Sequence, residues 1–484
     1  MQLVILVAFV LVLSLRHGPD EAAGVVVLVP AAVAYVVLAG VLAGLNASRA
    51  LRAMDGPPPP GRRRSRGLLS LLVPAYLLGG LAELLFMGWG RVLDATCPAC
   101  RNVPLLPEAV ALAPFVAALV LVWMVEYPLH RRVRRQLAAR FADEGWTVPA
   151  WSRGEFLAFN FRNQFLFIAV PVAMIWLAND LILQRNWPAV LAAAQWVAAR
   201  LNASPLGQTG QDALTIALSA AVSLTVFLFV PVLLVRVWRT SPLPPGELRD
   251  ALLDTLRALR LRCRPLRVWH SGGVVANAGV MGLIAPLRYV LLSDALLDRM
   301  DRRQVQAVFA HEVGHIQQHH IFYSVLFTLS VIAWGSLLAE WAADLGLIRN
   351  EFVLNGVALV AMAAGWGFGF GFVSRRFERQ SDVIAAWTVG LPCAGDPRRV
   401  TPEGATLFAS ALRRVAQLNG MSPTSFNWRH GTVESRVNFL LALAVTGGTR
   451  RPIDRQVRQI KRMIWLAVLV AAVAVTWTVL RSSP

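Results

Sequence analysis

The chain has 484 residues, of which 56% are hydrophobic and only 15% charged, against a charged share of about 25% in soluble globular proteins. Its 47 Lys and Arg outnumber its 28 Asp and Glu by 19, and its mean hydropathy is +0.54. These values exclude a wholly soluble globular chain and point to one that crosses a membrane several times.

Crossing a hydrocarbon layer of about 30 Å takes roughly 20 apolar residues. Runs of that kind occur near 24–46, 67–89, 106–127, 165–183, 213–235, 321–345, 352–373 and 463–480. The stretch from Leu3 to Leu15 is shorter. Met1-Gln2 supplies no basic n-region, so it reads as an uncleaved first span rather than the core of a signal peptide. The predicted fold is therefore mainly α, a polytopic helical membrane protein of about nine spans. The expected organisation is a multi-span region over 1–235, an extramembranous part over 236–320, a helix pair over 321–373, a second extramembranous part over 374–462 and a last span over 463–484.

The arginines divide by loop. One set holds Arg49, Arg52, Arg62, Arg63, Arg64 and Arg66, then Arg131, Arg132, Arg134, Arg135 and Arg140, then Arg236 to Arg267, then Arg375 to Arg462. The alternating loops are short and poor in arginine. By the positive-inside rule the first set is cytoplasmic, which places both extramembranous parts on the cytoplasmic side. Nucleic-acid binding would need basic residues interleaved with aromatics on one folded surface, a form no cluster here has, so no nucleic-acid partner is expected. Lys461 is the only lysine, and that bias points to a GC-rich bacterial coding sequence and an inner (cell) membrane. Pro57 to Pro60 read as a stiff linker.

Cys97 and Cys100 admit a local disulfide in an oxidising compartment, free thiols, or a redox or metal role. A zinc ribbon would need a second pair on the same face, and Cys263 and Cys393 lie on the other. Glu83 and Asp180 fall within or near spans, where a carboxylate is either functional or paired.

The strongest local signal is His311-Glu312-Val313-Gly314-His315. Residues i and i+4 share one face of a helix, so both imidazoles can bind a single Zn²⁺, with Glu312 beside it as a general base. Asp301 is the expected N-cap of this helix, which is expected to run on into the 321–345 span. A catalytic zinc takes three protein ligands and leaves one position open. The predicted third ligand is Glu378, because the intervening pair of spans returns the chain to the side it left. Asp382, four residues on, can accept the second N–H of a ligand histidine. His319 falls on the stripe of His315, but it and His320 read as surface or interfacial residues. Thr401-Pro402 should open a further helix and Gly420 should end it. Leu407, Ala411, Leu412, Val415 and Leu418 are its expected apolar face.

This pattern resembles the M48 family of integral-membrane zinc metallopeptidases, which contains CaaX prenyl proteases and HtpX-type quality-control proteases. Asn277-Ala278 followed by Gly282 is similar to the family's NAxxxG strand, and Arg288 to Ser293 to the strand paired with it. The resemblance implies a small α/β gluzincin-type subdomain, one Zn²⁺ per chain, and an edge strand at Asn277 and Ala278 on which a peptide substrate lies. His430-Gly431-Thr432-Val433-Glu434-Ser435-Arg436 resembles the segment in which a His and an Arg stabilise an oxyanion, with Gly431 where the family usually has Pro. The expected partners are the bilayer and peptide or membrane-protein substrates. The expected activity is zinc-dependent endopeptidase cleavage in membrane-protein quality control. The alternatives are CaaX prenyl-protein cleavage and a catalytically silent scaffold with a structural metal.

Overall fold

The structure is a computed structural model and describes residues 1–15, 24–54, 62–144, 151–200, 207–390 and 399–482. The Pro57 to Pro60 linker and Cys393 lie outside the described residues. The chain divides into two compact units, Met1–Trp238 and Arg239–Pro484.

The first unit is all helical: α1 (Gln2–Leu15), α2 (Val25–Met54), α3 (Arg62–Phe86), α4 (Val92–Thr96), α5 (Leu106–Arg140), α6 (Arg153–Asn160), α7 (Leu166–Asn179), α8 (Trp187–Arg200) and α9 (Gln208–Val237). Hydrocarbon offers no hydrogen-bond partner to a peptide group, so apolar segments of this length must satisfy their own backbone as helices. α6 opens on a capping box between Ser152 and Glu155 and continues through a π-type turn at Phe161–Phe165 into α7. Residues Arg153–Leu183 thus form a single span. α3 bends by 57° into the Trp89–Thr96 segment. Among the described residues seven helices are long and apolar enough to cross a membrane, eight if that bent pair is one span, with α1 shorter. The expectation of about nine spans therefore holds approximately. Two polar features are paired: Cys97 and Cys100 are disulfide-bonded, and Asp180 pairs with Arg185 at 2.8 Å.

The second unit comprises β1 (Thr240–Pro242), α10 (Glu247–Ala258), β2 (Arg267–Trp269), β3 (Ala278–Met281), β4 (Tyr289–Ser293), α11 (Asp294–Arg299), α12 (Arg302–Gln317), α13 (His320–Asp344), α14 (Glu351–Val389), α15 (Pro402–Leu418), α16 (Val433–Val445) and α17 (Arg451–Ser482). The sheet order is β1-β2-β4-β3. β2 and β4 are parallel, and the outer pairs are antiparallel. β4 is buried throughout, whereas β3 is an edge. The β3–β4 turn depends on Gly282: its φ is +99°, and a Cβ there would lie 3.0 Å from the Arg288 Cα.

α12 is the centre of this unit. Asp301 caps it, its Oδ1 accepting from Gln304 N at 2.8 Å, and Val305, Ala307, Phe309, Ala310 and Val313 are buried. The helix does not run into the next span. It stops at Gln317, and His319 adopts a left-handed conformation with φ 55° and ψ 34° before α13 starts afresh. Histidine is among the residues that tolerate that region, and the corner lets the two helices point in different directions.

α14 has 39 residues, about 58 Å at 1.5 Å per residue. Its first half exposes Val357, Val360 and Phe368, while Val373, Phe377, Val383, Ile384 and Ala385 are buried. Large apolar groups exposed in this way on a long helix are the lipid-facing surface of a span. The same helix therefore serves as membrane span and as core of the subdomain. α15 is capped by Thr401, whose Oγ1 accepts from Gly404 N at 3.1 Å, and Gly420 follows its end with φ +66°. Its buried face is Ala405, Phe408, Ala409, Ala411, Ala416 and Leu418. That face is rotated from the expected leucine stripe, because α15 packs against α12, α14 and α16 and small side chains permit the closer approach.

Candidate metal centre

α12 and α14 bring the predicted ligands together. His311, His315 and Glu378 each offer an atom within 4.8 Å of the others. His311 Nε2 lies 3.2 Å from His315 Nε2 and 3.4 Å from Glu378 Oε2, and His315 Nε2 lies 3.7 Å from Glu378 Oε1. Ligands at about 2.0–2.1 Å around a tetrahedral zinc sit roughly 3.3–3.4 Å apart. The donor set fits that ion in chemistry and spacing. Gly314 makes the approach possible: a Cβ there would stand only 3.3 Å from the Cα of Ser381 on α14.

Asp382 and Arg436 lie behind this group. His311 Nδ1 is 3.0 Å from Asp382 Oδ1, the place expected for a carboxylate that orients a ligand imidazole. Arg436, the first-turn arginine of α16, grips Asp382 with both arms, Nε to Oδ2 at 2.8 Å and Nη2 to Oδ1 at 2.5 Å. Its Nη2 is also 3.3 Å from Glu378 Oε2. Arg436 is 8% exposed and Asp382 fully buried. His430 sits nearer the surface, its Nδ1 2.9 Å from Glu378 Oε1. Gly431, beside it, has φ +77° and closes a small loop onto Asn427 through two backbone hydrogen bonds of 2.7 and 3.1 Å.

The electrostatics are those of a site built for a cation. Burial lowers the His315 imidazole to about 3, so it is neutral and ready to coordinate. Burial would also lower His311, but the carboxylates of Asp382 and Glu378 reverse this and hold it up at about 10. Glu312 is half-buried, and burial raises its carboxyl to about 7, which suits a general base operating near neutrality. Burial would lower Arg436, but Asp382 overrides that and drives it above its ordinary value.

Ala278 is buried on β3 and Asn277 is exposed at its start. Asn277 N donates to Ser293 Oγ at 2.9 Å, and Ala276 exchanges two hydrogen bonds with the Asn419 amide, at 3.2 and 2.8 Å. Asn419 was not foreseen; its place just after an amphipathic helix was the available signal. Phe408 was also missed: its ring lies over His311 with centroids 5.6 Å apart. His320 is the clearest correction. It is buried, 2% exposed, and its ring stacks on Phe377 at 4.2 Å. The left-handed corner at His319 turns it inward.

Residues 242–400 match the family model for peptidase family M48. The chain is 32% identical to a protease HtpX homologue of Aeropyrum pernix over 42% of this chain and 66% of that protein. It is 27% identical to a CAAX prenyl protease 1 homologue of Arabidopsis thaliana over 34% of this chain and 42% of that protein. It thus spans just under two thirds of the first relative and less than half of the second. The crystal structure of Saccharomyces mikatae Ste24p is similar over 87% of this chain and 100% of that one, with 14% identity and a TM-score of 0.40, too loose a likeness to build on.

Proposed function

We propose that the chain, whose residues 242–400 match the model of peptidase family M48, is a membrane-embedded zinc endopeptidase of that family that hydrolyses peptide bonds of membrane-associated proteins. The observation that carries this reading is the convergence of His311, His315 and Glu378 beside a carboxylate, Glu312, that no structural metal site would need. His311, His315 and Glu378 would hold one Zn²⁺ per chain. Bound zinc supplies Lewis acidity, lowering the pKa of water towards about 7 and polarising a carbonyl.

The protein does the rest. Glu312 takes a proton from the attacking water and delivers it to the leaving amine. Asp382 orients His311, and Arg436 neutralises the carboxylates behind the site while His430 stands at its mouth where an oxyanion develops. The edge strand at Asn277 and Ala278 receives the substrate backbone by β-augmentation. On this reading 236–320 and 374–462 carry the catalysis. The helix pair 321–373 and the last span 463–484 hold it at the membrane, and 1–235 forms the multi-span region. The protein works in a bacterial inner membrane with its site towards the cytoplasm, in membrane-protein quality control. The match to a protein named CAAX prenyl protease 1 homologue keeps prenylated substrates as the second reading.

Glu312→Gln should retain one equivalent of zinc and lose hydrolysis of a quenched peptide by about 10²–10⁴-fold. A variant that cleaves at the parent rate, or cleavage that a chelator does not stop, overturns the proposal. Equal peptides with and without a prenyl group separate the two substrate readings.

A further inference from the structure

The metal-site reading accounts for one nitrogen of His315 and leaves the other to be explained. Nε2 faces His311 and Glu378; Nδ1 lies 3.0 Å from Nδ1 of His320. One of these two nitrogens must carry a hydrogen and the other must accept it. The hydrogen-bond chain beyond His320 decides which. Gln380 Nε2 lies 2.6 Å from Asp454 Oδ1, and an ionised carboxylate only accepts, so the amide turns its NH₂ to Asp454 and its carbonyl to His320. Arg450 Nε donates to the other Asp454 oxygen at 3.1 Å. The Gln380 carbonyl accepts from His320 Nε2 at 2.9 Å. The hydrogen of a neutral His320 is thereby placed on Nε2, and its Nδ1 is left as an acceptor. His315 must then carry its hydrogen on Nδ1 and present a bare Nε2 lone pair to the ligand cluster.

We propose that His320 is the positioning residue for His315. It is set by Gln380 and, through it, by Asp454 of the C-terminal helix α17, and it fixes the tautomer and ring angle on which metal affinity depends. The proposal rests on the zinc-site reading above. The stack of His320 on Phe377, 5° from parallel, fixes the plane from which it accepts. The two ligand imidazoles are thus oriented by different means. His311 faces a carboxylate, Asp382, while His315 faces a neutral ring whose orientation is set through Gln380 by Asp454. A direct carboxylate there would add a further negative charge to a pocket that already holds Glu312, Glu378 and Asp382.

The test is zinc affinity of the full-length apoprotein in detergent, measured by competition with a chromophoric chelator. The parent should bind one equivalent. His320→Ala should weaken binding by about 10–100-fold, and His320→Gln, whose side-chain carbonyl can accept the Nδ1 hydrogen, should recover part of the loss. Asp454→Ala frees the Gln380 amide to turn over and should also lower affinity. If His320→Ala does not fold, Gln380→Ala, which touches no ligand, is expected to show the same fall. Parent affinity in these variants overturns the proposal and leaves the zinc reading standing. A loss in His320→Ala that His320→Gln does not recover marks a packing defect and also overturns it. No change in Asp454→Ala removes the part assigned to α17. A parent protein that takes up no stoichiometric zinc overturns the zinc reading, and this inference with it.

Discussion

Glu378 is faced by His311, His315, His430 and Arg436, so three imidazoles and a guanidinium compete for two carboxylate oxygens. The outcome is set by which of them carries charge. Asp382 and Glu378 overcome the effect of burial and hold His311 up at about 10, so metal binding at its Nε2 competes with a proton. Zinc affinity should therefore rise with pH, by about tenfold per unit between pH 6.5 and 8.5, as measured by zinc titration of the apoprotein. Glu312 is base-competent only above its own value of about 7, and a neighbouring cation pulls that value down. Peptidase activity should accordingly fall as pH drops, with its acid limb at or below about 7, and pH–rate profiles check this. Arg436 grips Asp382 in a pocket where neither is more than 8% exposed. Arg436→Met strands a buried carboxylate, and unfolding should show a loss of about 3–5 kcal/mol. Arg436→Lys should recover only part of it, because an ammonium cannot make the two-armed contact.

The elements show why some of this was legible and some was not. Two histidines one turn apart and an edge strand are local patterns, so His311, His315 and the stretch from Asn277 to Gly282 could be read directly. Glu378 could be reached because two apolar runs between it and His315 must form a hairpin. Caps were legible for the same reason: Asp301 and Thr401 act within one turn of themselves. His320 was not legible, because helical spacing assigns it a face only while the helix continues, and the corner at His319 breaks the period. Asp454 was hidden among the arginines of 450–462, where an acid reads as a surface partner. Gly282→Ala tests the edge strand. It forces a side chain into φ +99° against the backbone at Arg288. It should cost at least about 1–2 kcal/mol and weaken peptide binding more than zinc binding. Unfolding and separate KM and zinc titrations read the two effects.

At the scale of the whole molecule, the proposed topology reads the excess of 19 positive charges as a record of orientation. Cysteines placed in an otherwise cysteine-free background near Arg131, Gly246 and Arg399 should all be labelled from the cytoplasmic side. One near Val103 should be labelled from the other. Labelling of all four from the same side contradicts the assignment.

α14 passes without interruption from its lipid-facing half into the core, carrying Glu378 and Asp382 on its far end. Its depth and tilt are set by the match between its apolar length and the surrounding hydrocarbon, at a cost of fractions of a kcal/mol per Å of mismatch. A rigid rod converts such an adjustment into displacement at its tip, and the position of Glu378 relative to α12 follows. Turnover in vesicles of graded acyl-chain length should therefore peak at one thickness and decline on either side, with the chemistry of every side chain unchanged. On the proposed function, the bilayer then acts as a mechanical setting of the metal centre.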